Sequence, residues 1–440
     1  MANIIYLWYK FIGDFWREKM TTYYENIDKD RLKNLFIKFC EFDTGSCEDT
    51  KKGIEPSTKK QVEFAKKILV KVLKKIGLKD VKLDKTGTVT AYLKGNIKNN
   101  LTLGLIAHMD TSEQAPTGPV KPLVHEYKEG NIVLNEKTVI EVCDLEPYKN
   151  QTVITSDGRT LLGADDKAGI AEILEAISVL IEHPEIERPN IKVAITPDEE
   201  IGEGVTNFDI KKFGANIAYT VDGSEVDNIE SETFNAFNPE ITIIGVPVHC
   251  GYAYGKMVNA IEVATAIMNK IPKNELPEST REREGYYHVD VINGSVNEVT
   301  MKMLVRDFDF EGAKARIEIL RKIIAGVEND YKGCKIILKE NEKYHNMKEK
   351  LMELPEIIEY AKEAIRRSGM EPKEPVVRGG TDGAMLTLRG LLTPNLGTGG
   401  VNFHSKKEFV SLEAMAKSSE NILNLVNIWA EKADEISNKL

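Results

Sequence analysis

Two adjacent carboxylates, Glu199 and Glu200, follow Thr196-Pro197-Asp198 at the end of a short apolar run that starts at Ile191. Three more polar groups stand at comparable points: His108-Met109-Asp110 after the run 101–107, Asp165-Asp166 after Leu161-Leu162-Gly163-Ala164, and Asp222-Gly223 after the run 217–221. A fifth, His404, comes shortly after Gly399-Gly400. Imidazole with carboxylates is a hard-to-borderline ligand set, suited to zinc, manganese or cobalt. Taken singly, a Glu-Glu pair or a histidine after glycines reads as a solvated loop. Their shared position at strand ends and at a helix start makes them a candidate metal site.

Such a set needs strands that all end at one edge. Ile191 to Thr196 is β-branched and half alternating, a strand that Pro197 closes. Leu101 to Ala107 and Ile217 to Val221 are apolar strands of the same kind, and Leu391 to Leu396 is expected to end beside them. After Asp165-Asp166 the apolar residues Ile170, Ile173, Leu174, Ile177, Leu180 and Ile181 share one helical face. In open α/β sheets the carboxyl ends of the strands border the crevice where ligands bind. The glycines ahead of His404 let the backbone approach that edge closely.

At 440 residues the chain is too long for one ordinary core and implies two domains. Apolar content of 42% with 29% charged residues is that of a globular protein, and the net charge of −10 argues against a nucleic-acid or anionic-membrane partner. Five cysteines without a C-x-x-C read as reduced thiols of a cytosolic protein. In residues 1–19, Ile4, Ile5, Trp8, Phe11, Ile12, Phe15 and Trp16 recur at helical spacing between charges. That run is too short to span a membrane and has no basic region ahead of it. An interfacial helix is one reading; an extension or upstream start, with Met20 as the working start, is the preferred one.

Helices are expected over 30–39, over 59–76 with Ser57 as cap and Gly77 as stop, over 354–367, after Thr381 and after Ser411. A hairpin joins 81–83 to 88–93, and the stretch 111–151, rich in proline, glycine and charge, reads as an elaborated loop. From Ile241 to Lys339 the order is β-α-β-β-α-β, the split arrangement of a ferredoxin-like unit. The expected organisation is an N-terminal extension over 1–28, a main domain over 29–233 and 344–440, and an inserted domain over 234–343. A strand over 375–378 belongs, on this reading, to the main domain.

His108-x-Asp110, the Gly-Ala-Asp-Asp-Lys-Ala-Gly of 163–169, the Pro-Asp-Glu-Glu of 197–200, the Val-Asp-Gly of 221–223 and Asn402-Phe403-His404 together resemble the ordered signature of the di-zinc exopeptidases related to carboxypeptidase G2 and acetylornithine deacetylase. Arg306-Asp307-Phe308-Asp309, the Arg-Gly-Gly-Thr-Asp-Gly of 378–383, Met257-Val-Asn-Ala260 and Glu408-Phe409-Val410 are similar to its aminotripeptidase branch. The resemblance runs from about Lys29 to near the C-terminus. It implies an α/β fold, a zinc-exopeptidase-like mixed sheet flanked by helices, with the inserted ferredoxin-like α+β domain as a lid.

By position, the resemblance implies two zinc ions per subunit, replaceable by cobalt or manganese, with Asp165 bridging them. His108 and Asp222 complete one site, Glu200 and His404 the other. Glu199, next to a ligand without being one, is the candidate general base, and Asp110 is expected to hold the second nitrogen of His108. His249 resembles a lid histidine that stabilises the developing oxyanion, against the plain reading of a histidine packed at a strand end. Arg378, with Arg306 assisting, is expected to clamp a peptide carboxylate, against structural ion pairing with Asp307 or Asp382. Cys250, Ser224 and Gly397 depart from the branch pattern and leave side-chain preference open.

The expectation is a cytosolic zinc aminopeptidase acting on small peptides, chiefly tripeptides, with neither nucleic acid nor a membrane span involved and a homodimer allowed by the resemblance. A dipeptidase, carboxypeptidase or N-acyl-amino-acid deacylase on the same scaffold is the near alternative. A non-catalytic peptide-binding protein is the remote one.

Overall fold

The apolar runs that precede the polar groups become the middle of a seven-stranded sheet. The computed structural model describes residues 23–50, 53–436 and 439, so the expectations for residues 1–19 lie outside it. The sheet is built from β1 (Lys79–Leu83), β2 (Val89–Leu93), β3 (Thr102–His108), β4 (Asn190–Thr196), β5 (Ile217–Gly223), β6 (Ile229–Glu230) and β7 (Asn395–Gly397), in the order β1-β2-β4-β3-β5-β7-β6. The inner strands β4, β3, β5 and β7 are parallel, and the outer ones pair antiparallel. Parallel pairing brings the carboxyl ends of β3, β4 and β5 to one edge, and His108, Thr196 and Asp222 stand there. Only the last part of the expected 391–396 strand is ladder, because Pro394 has no N–H to give it.

Helix α1 (Ala164–Glu182) packs against β3 and β5 and also against α2 (Leu412–Glu431). It is buried on nearly every face, as a helix covered on both sides must be. Of its polar residues inside, Glu175 pairs with Arg31, and Glu172 Oε2 accepts from Ser418 at 2.7 Å while its Oε1 has no hydrogen-bond partner. Gly169 sets the spacing to the sheet, since a Cβ there would lie 1.9 Å from the carbonyl oxygen of Val221. Gly397 is equally constrained, with Glu225 O at 1.7 Å from any Cβ, so this departure from the branch pattern matches a backbone that leaves no room.

The stretch 111–151 is more ordered than its composition implies. Leu123–Glu126 joins Thr152–Thr155, Phe409–Ser411 and Gly400–Val401 in a four-stranded sheet, and Ile132–Asn135 pairs with Thr138–Ile140. Leu123, Val124 and Val133 face outward, which blurs the alternation that marks a half-buried strand. The helix over 59–76 forms with a π turn at Ala65–Leu69 and stops at left-handed Gly77. Its cap position is Thr58, and Ser57 turns its hydroxyl to Asp198 instead.

The described chain divides into two units. The first takes in residues up to Glu230 with Leu351–Pro375 and Thr381–Leu440, the second Ser231–Lys350 with Val376–Gly380. In the second, strands Glu240–Ile244, Tyr286–Gly294, Glu298–Asp307 and Lys335–Lys339 and helices Ala260–Lys270 and Phe310–Asp330 carry the β-α-β-β-α-β order. Ile241, Ile243, Val263, Ile267, Met301, Ile317 and Leu320 form its core. Its bounds are a few residues wider than 234–343, because Glu232 pairs with Lys348 and Arg283 and Thr233 bridges Val377. Residues 376–380 therefore go with this unit, and 375–378 makes a single bridge where a strand was expected. No helix among the described residues is long and apolar enough to cross a membrane.

Candidate metal centre

His108 closes β3, and its backbone N–H donates to Asp166 Oδ2 at 3.0 Å. Asp166 also accepts from Gly169 N at 3.2 Å, three residues on, and so caps the regular part of α1. Asp165, just ahead, has extended backbone (φ −82°, ψ 102°) and stands outside that helical run. Of the Asp-Asp pair, one residue holds the helix and the other is left for chemistry. Asp222 lies near the end of β5, its N–H donating to Asn395 Oδ1 at 3.1 Å.

Beyond β4 the chain turns at Asp198 (φ +55°) into a short helical turn, Glu199–Ile201. Asp110 accepts from the N–H of Glu199 at 3.0 Å and of Glu200 at 3.2 Å. Its Oδ1 is 3.3 Å from His108 Nδ1, which makes no hydrogen bond in this geometry. Asp110 therefore lies beside the imidazole without the hydrogen bond expected of it, and its hydrogen bonds brace the Glu-Glu turn instead. His404 is itself left-handed (φ +59°) and presents Nε2 to the cluster.

The side chains converge. His108 Nε2 lies 2.9 Å from Asp165 Oδ1 and 3.3 Å from Asp222 Oδ1. His404 Nε2 lies 3.1 Å from Asp165 Oδ2 and 2.9 Å from Glu200 Oε2. Two donor groups result, His108 with Asp165 and Asp222, and Asp165 with Glu200 and His404, each with its atoms within 4.8 Å of one another. Asp165 belongs to both. Glu199 belongs to neither, and its Oε1 accepts from Asp382 N at 3.3 Å.

Among the described residues, Asp165, Glu200 and Asp222 form ion pairs with these two histidines only. Burial pushes Glu200 and Asp222 up to about 7, and pushes Glu199 well above the ordinary glutamate range with the negative charge of Asp222 adding to it. Hydrogen bonds to Asp165 and Glu200 raise His404 to about 10. Glu200 Oε1 is buried with no hydrogen-bond partner. Oxygen and nitrogen donors that face inward, pair with no lysine or arginine among the described residues and include an orphaned buried carboxylate oxygen fit a pair of divalent cations.

Sequence reasoning missed the groups that hold the ligands. Glu408, buried and pushed up to about 7, accepts from the N–H of Leu162 at 2.7 Å, Gly163 at 2.8 Å and Asp165 at 3.0 Å. It fixes the turn that presents Asp165. Asp382 accepts from Thr196 Oγ1 at 2.8 Å, and Asn395 is held in turn by Glu230 at 2.7 Å. The one signal for Glu408 was its place in Glu408-Phe409-Val410.

The other expected substrate groups lie in the second unit. His249 is exposed; its Nδ1 accepts from Gly251 N at 3.2 Å, which puts the ring proton on Nε2. Arg378 donates to Thr280 Oγ1 at 2.8 Å and Glu282 O at 3.1 Å, with its guanidinium 5.4 Å and 5.5 Å from the rings of Phe234 and Tyr286. Arg306 is buried, its Nη1 shared among Phe237 O, Asn238 Oδ1 and Val305 O. Asp307, a candidate partner for these arginines, pairs with Arg316.

Residues 140–427 match the model of peptidase family M20/M25/M40. The chain is 46% identical over 409 residues to a peptidase T of Caldanaerobacter subterraneus, covering 91% of this chain and 99% of that one. To peptidase T of Bacillus subtilis it is 43% identical over 364 residues, covering 81% and 89%. Among solved structures it resembles aminopeptidase PepT from Bacillus cereus, with a TM-score of 0.72, 25% identity and coverage of 91% and 99%. The YXEP protein of Bacillus subtilis, described as a dinuclear metal binding peptidase, shares the fold at a TM-score of 0.61 and 17% identity, over 92% and 98% of the chains.

Proposed function

The chain belongs to peptidase family M20/M25/M40, and from that premise we propose that it is a metal-dependent aminopeptidase releasing the N-terminal residue of tripeptides. The observation that carries the chemistry is the pair of donor groups sharing Asp165, with Glu199 beside them and outside both. His108 and Asp222 would hold one cation, Glu200 and His404 the other, and Asp165 both. We assign zinc, which suits imidazole with carboxylate. When bound, such ions supply Lewis acidity for the peptide carbonyl and bring the pKa of a water towards about 7.

The chain's own residues do the rest. Glu199 takes a proton from the attacking water and passes it to the departing amine, work that suits a carboxylate standing beside the donor groups and outside both, whose burial favours holding a proton. The N–H of Asp382 orients its Oε1. Asp110 holds the backbone of both glutamates, so base and ligand move as one. Glu408 keeps Asp165 in its extended conformation. In the second unit, the Nε2–H of His249 is a donor suited to a carbonyl oxygen gaining charge, and Arg378 is a guanidinium suited to a peptide carboxylate. All five cysteines are free, which supports a reducing compartment, and we place the protein in the cytoplasm.

The test is hydrolysis of an unblocked tripeptide, its dipeptide, its tetrapeptide and its N-acetylated form after chelation and zinc restoration. Zinc-dependent cleavage of the free tripeptide at its first bond is expected. Cleavage of the acetylated form would move the protein to the carboxypeptidase or deacylase reading.

A further inference from the structure

Gln61 is a fully buried polar residue on the helix Lys59–Phe64, and both ends of its side chain reach one distant residue, with longer contacts of 3.4 Å from its Nε2 to the hydroxyls of Ser57 and Thr58. Its Oε1 accepts from Asp198 N at 3.1 Å, and its Nε2 donates to Asp198 Oδ1 at 2.7 Å. Ser57 completes the grip: its N–H donates to Asp198 Oδ2 at 2.6 Å and its hydroxyl to Oδ1. Asp198 sits at φ +55°, a left-handed conformation that a residue with a Cβ adopts only when its surroundings hold it there. The turn it starts is closed by Glu203 N to Asp198 O at 3.0 Å. Within that turn, the N–H groups of Glu199 and Glu200 point at Asp110.

No core-packing need explains a buried amide here, because an apolar side chain of the same size would fill the space without a partner to find. The bonds instead fix the one backbone conformation that aims Glu199. We infer that Gln61 is a positioning residue for the general base, acting through Asp198. The inference rests on Glu199 being that base. It also gives residues 57–61, which contribute no group to the donor set, a part in the reaction.

Charge exchange tests it. Gln61→Glu removes the donor and sets two carboxylates face to face, whereas adding Asp198→Asn restores a donor between them and leaves the carboxylate at position 61 an oxygen for the backbone N–H of residue 198. The single variant Q61E is expected to lower kcat for a free tripeptide by about 10²-fold, the order that a misplacement of about 1 Å costs. KM should stay near that of the parent and Q61E/D198N should recover kcat to within a few-fold, with the ratio of zinc to chain read alongside because Glu200 shares the turn. Glu199→Gln separates the two claims. If E199Q abolishes turnover while Q61E keeps it, the positioning role is overturned and the base assignment stands; if E199Q keeps turnover, both fall. Should Q61E fold poorly or lose zinc, the double variant decides: recovery supports the pairing, and no recovery overturns it.

Discussion

Two clusters of charge in this protein have opposite electrostatics. In the first unit, Asp165, Glu200 and Asp222 meet histidines only; burial pushes Glu200 and Asp222 up to about 7, while Asp165, against its own burial, is held below the ordinary range by both histidines. In the second, Glu232 is gripped by Arg283 and Lys348, and despite its burial those partners hold it down at about 2. Where the chain needs only structure, it supplies its own cations. Where it gathers carboxylates with no lysine or arginine, only histidines balance them, whose protons a metal ion can displace, and that contrast separates a metal site from an ordinary ion-pair network.

Removing Asp165 breaks the contrast most severely. Asp165→Asn should cost the protein both ions and its turnover, read by metal analysis after dialysis alongside tripeptide hydrolysis; full metal content would refute the bridging role. Next comes Glu199→Gln, expected to lower kcat by about 10²- to 10⁴-fold with two ions still bound. A parallel loss of metal would make Glu199 a ligand.

Proton linkage sharpens the comparison further. In the metal-free protein Glu200 and Asp222, near 7, and His404, near 10, have folded pKa values above their ordinary 4.5, 3.8 and 6.5. Their contribution to stability is thus complete below those ordinary values and is lost as pH rises through the raised ones. An incoming cation must displace the same protons. Zinc affinity, followed against a chromophoric chelator, should therefore rise by at least about tenfold per pH unit between about pH 5.5 and 7. A flat profile would mean that the cation displaces no protons from these groups.

Smaller effects belong to the second unit. Arg378→Ala should reduce the preference for tripeptide over tetrapeptide in kcat/KM by about tenfold, the worth of one charge-assisted contact. An unchanged ratio removes Arg378 from substrate binding. Glu232→Gln should leave metal and turnover alone and cost less than about 1 kcal/mol, because Arg283 and Lys348 are half exposed. Glu232 is depressed, so its stabilisation is present above pH 4.5 and disappears as pH falls through about 2. Urea unfolding of the two proteins should then differ at neutral pH and converge in acid.

The groups offered to a metal were legible because each stands where a strand or helix changes direction, and that change is written locally in the chain. What holds them was not. Gln61 reaches Asp198 across 137 positions, and Glu408 reaches Asp165 across 243. Ser57 read as a helix cap because a serine before a helix ordinarily is one, and only the fold shows its hydroxyl spent on Asp198. The placement of Arg378 failed for the same reason: one bridge between Thr233 and Val377 carries residues 376–380 into the second unit.

Gly169 shows what such distance costs. It bears no functional group, yet the helix that follows Asp165 can lie against the strand that carries Asp222 only because nothing projects from Gly169 towards Val221. In a library of random variants scored by growth on peptides, this position should tolerate no substitution and look as essential as a ligand, and a survey of mutational tolerance would mark as catalytic a residue whose whole contribution is the room it leaves.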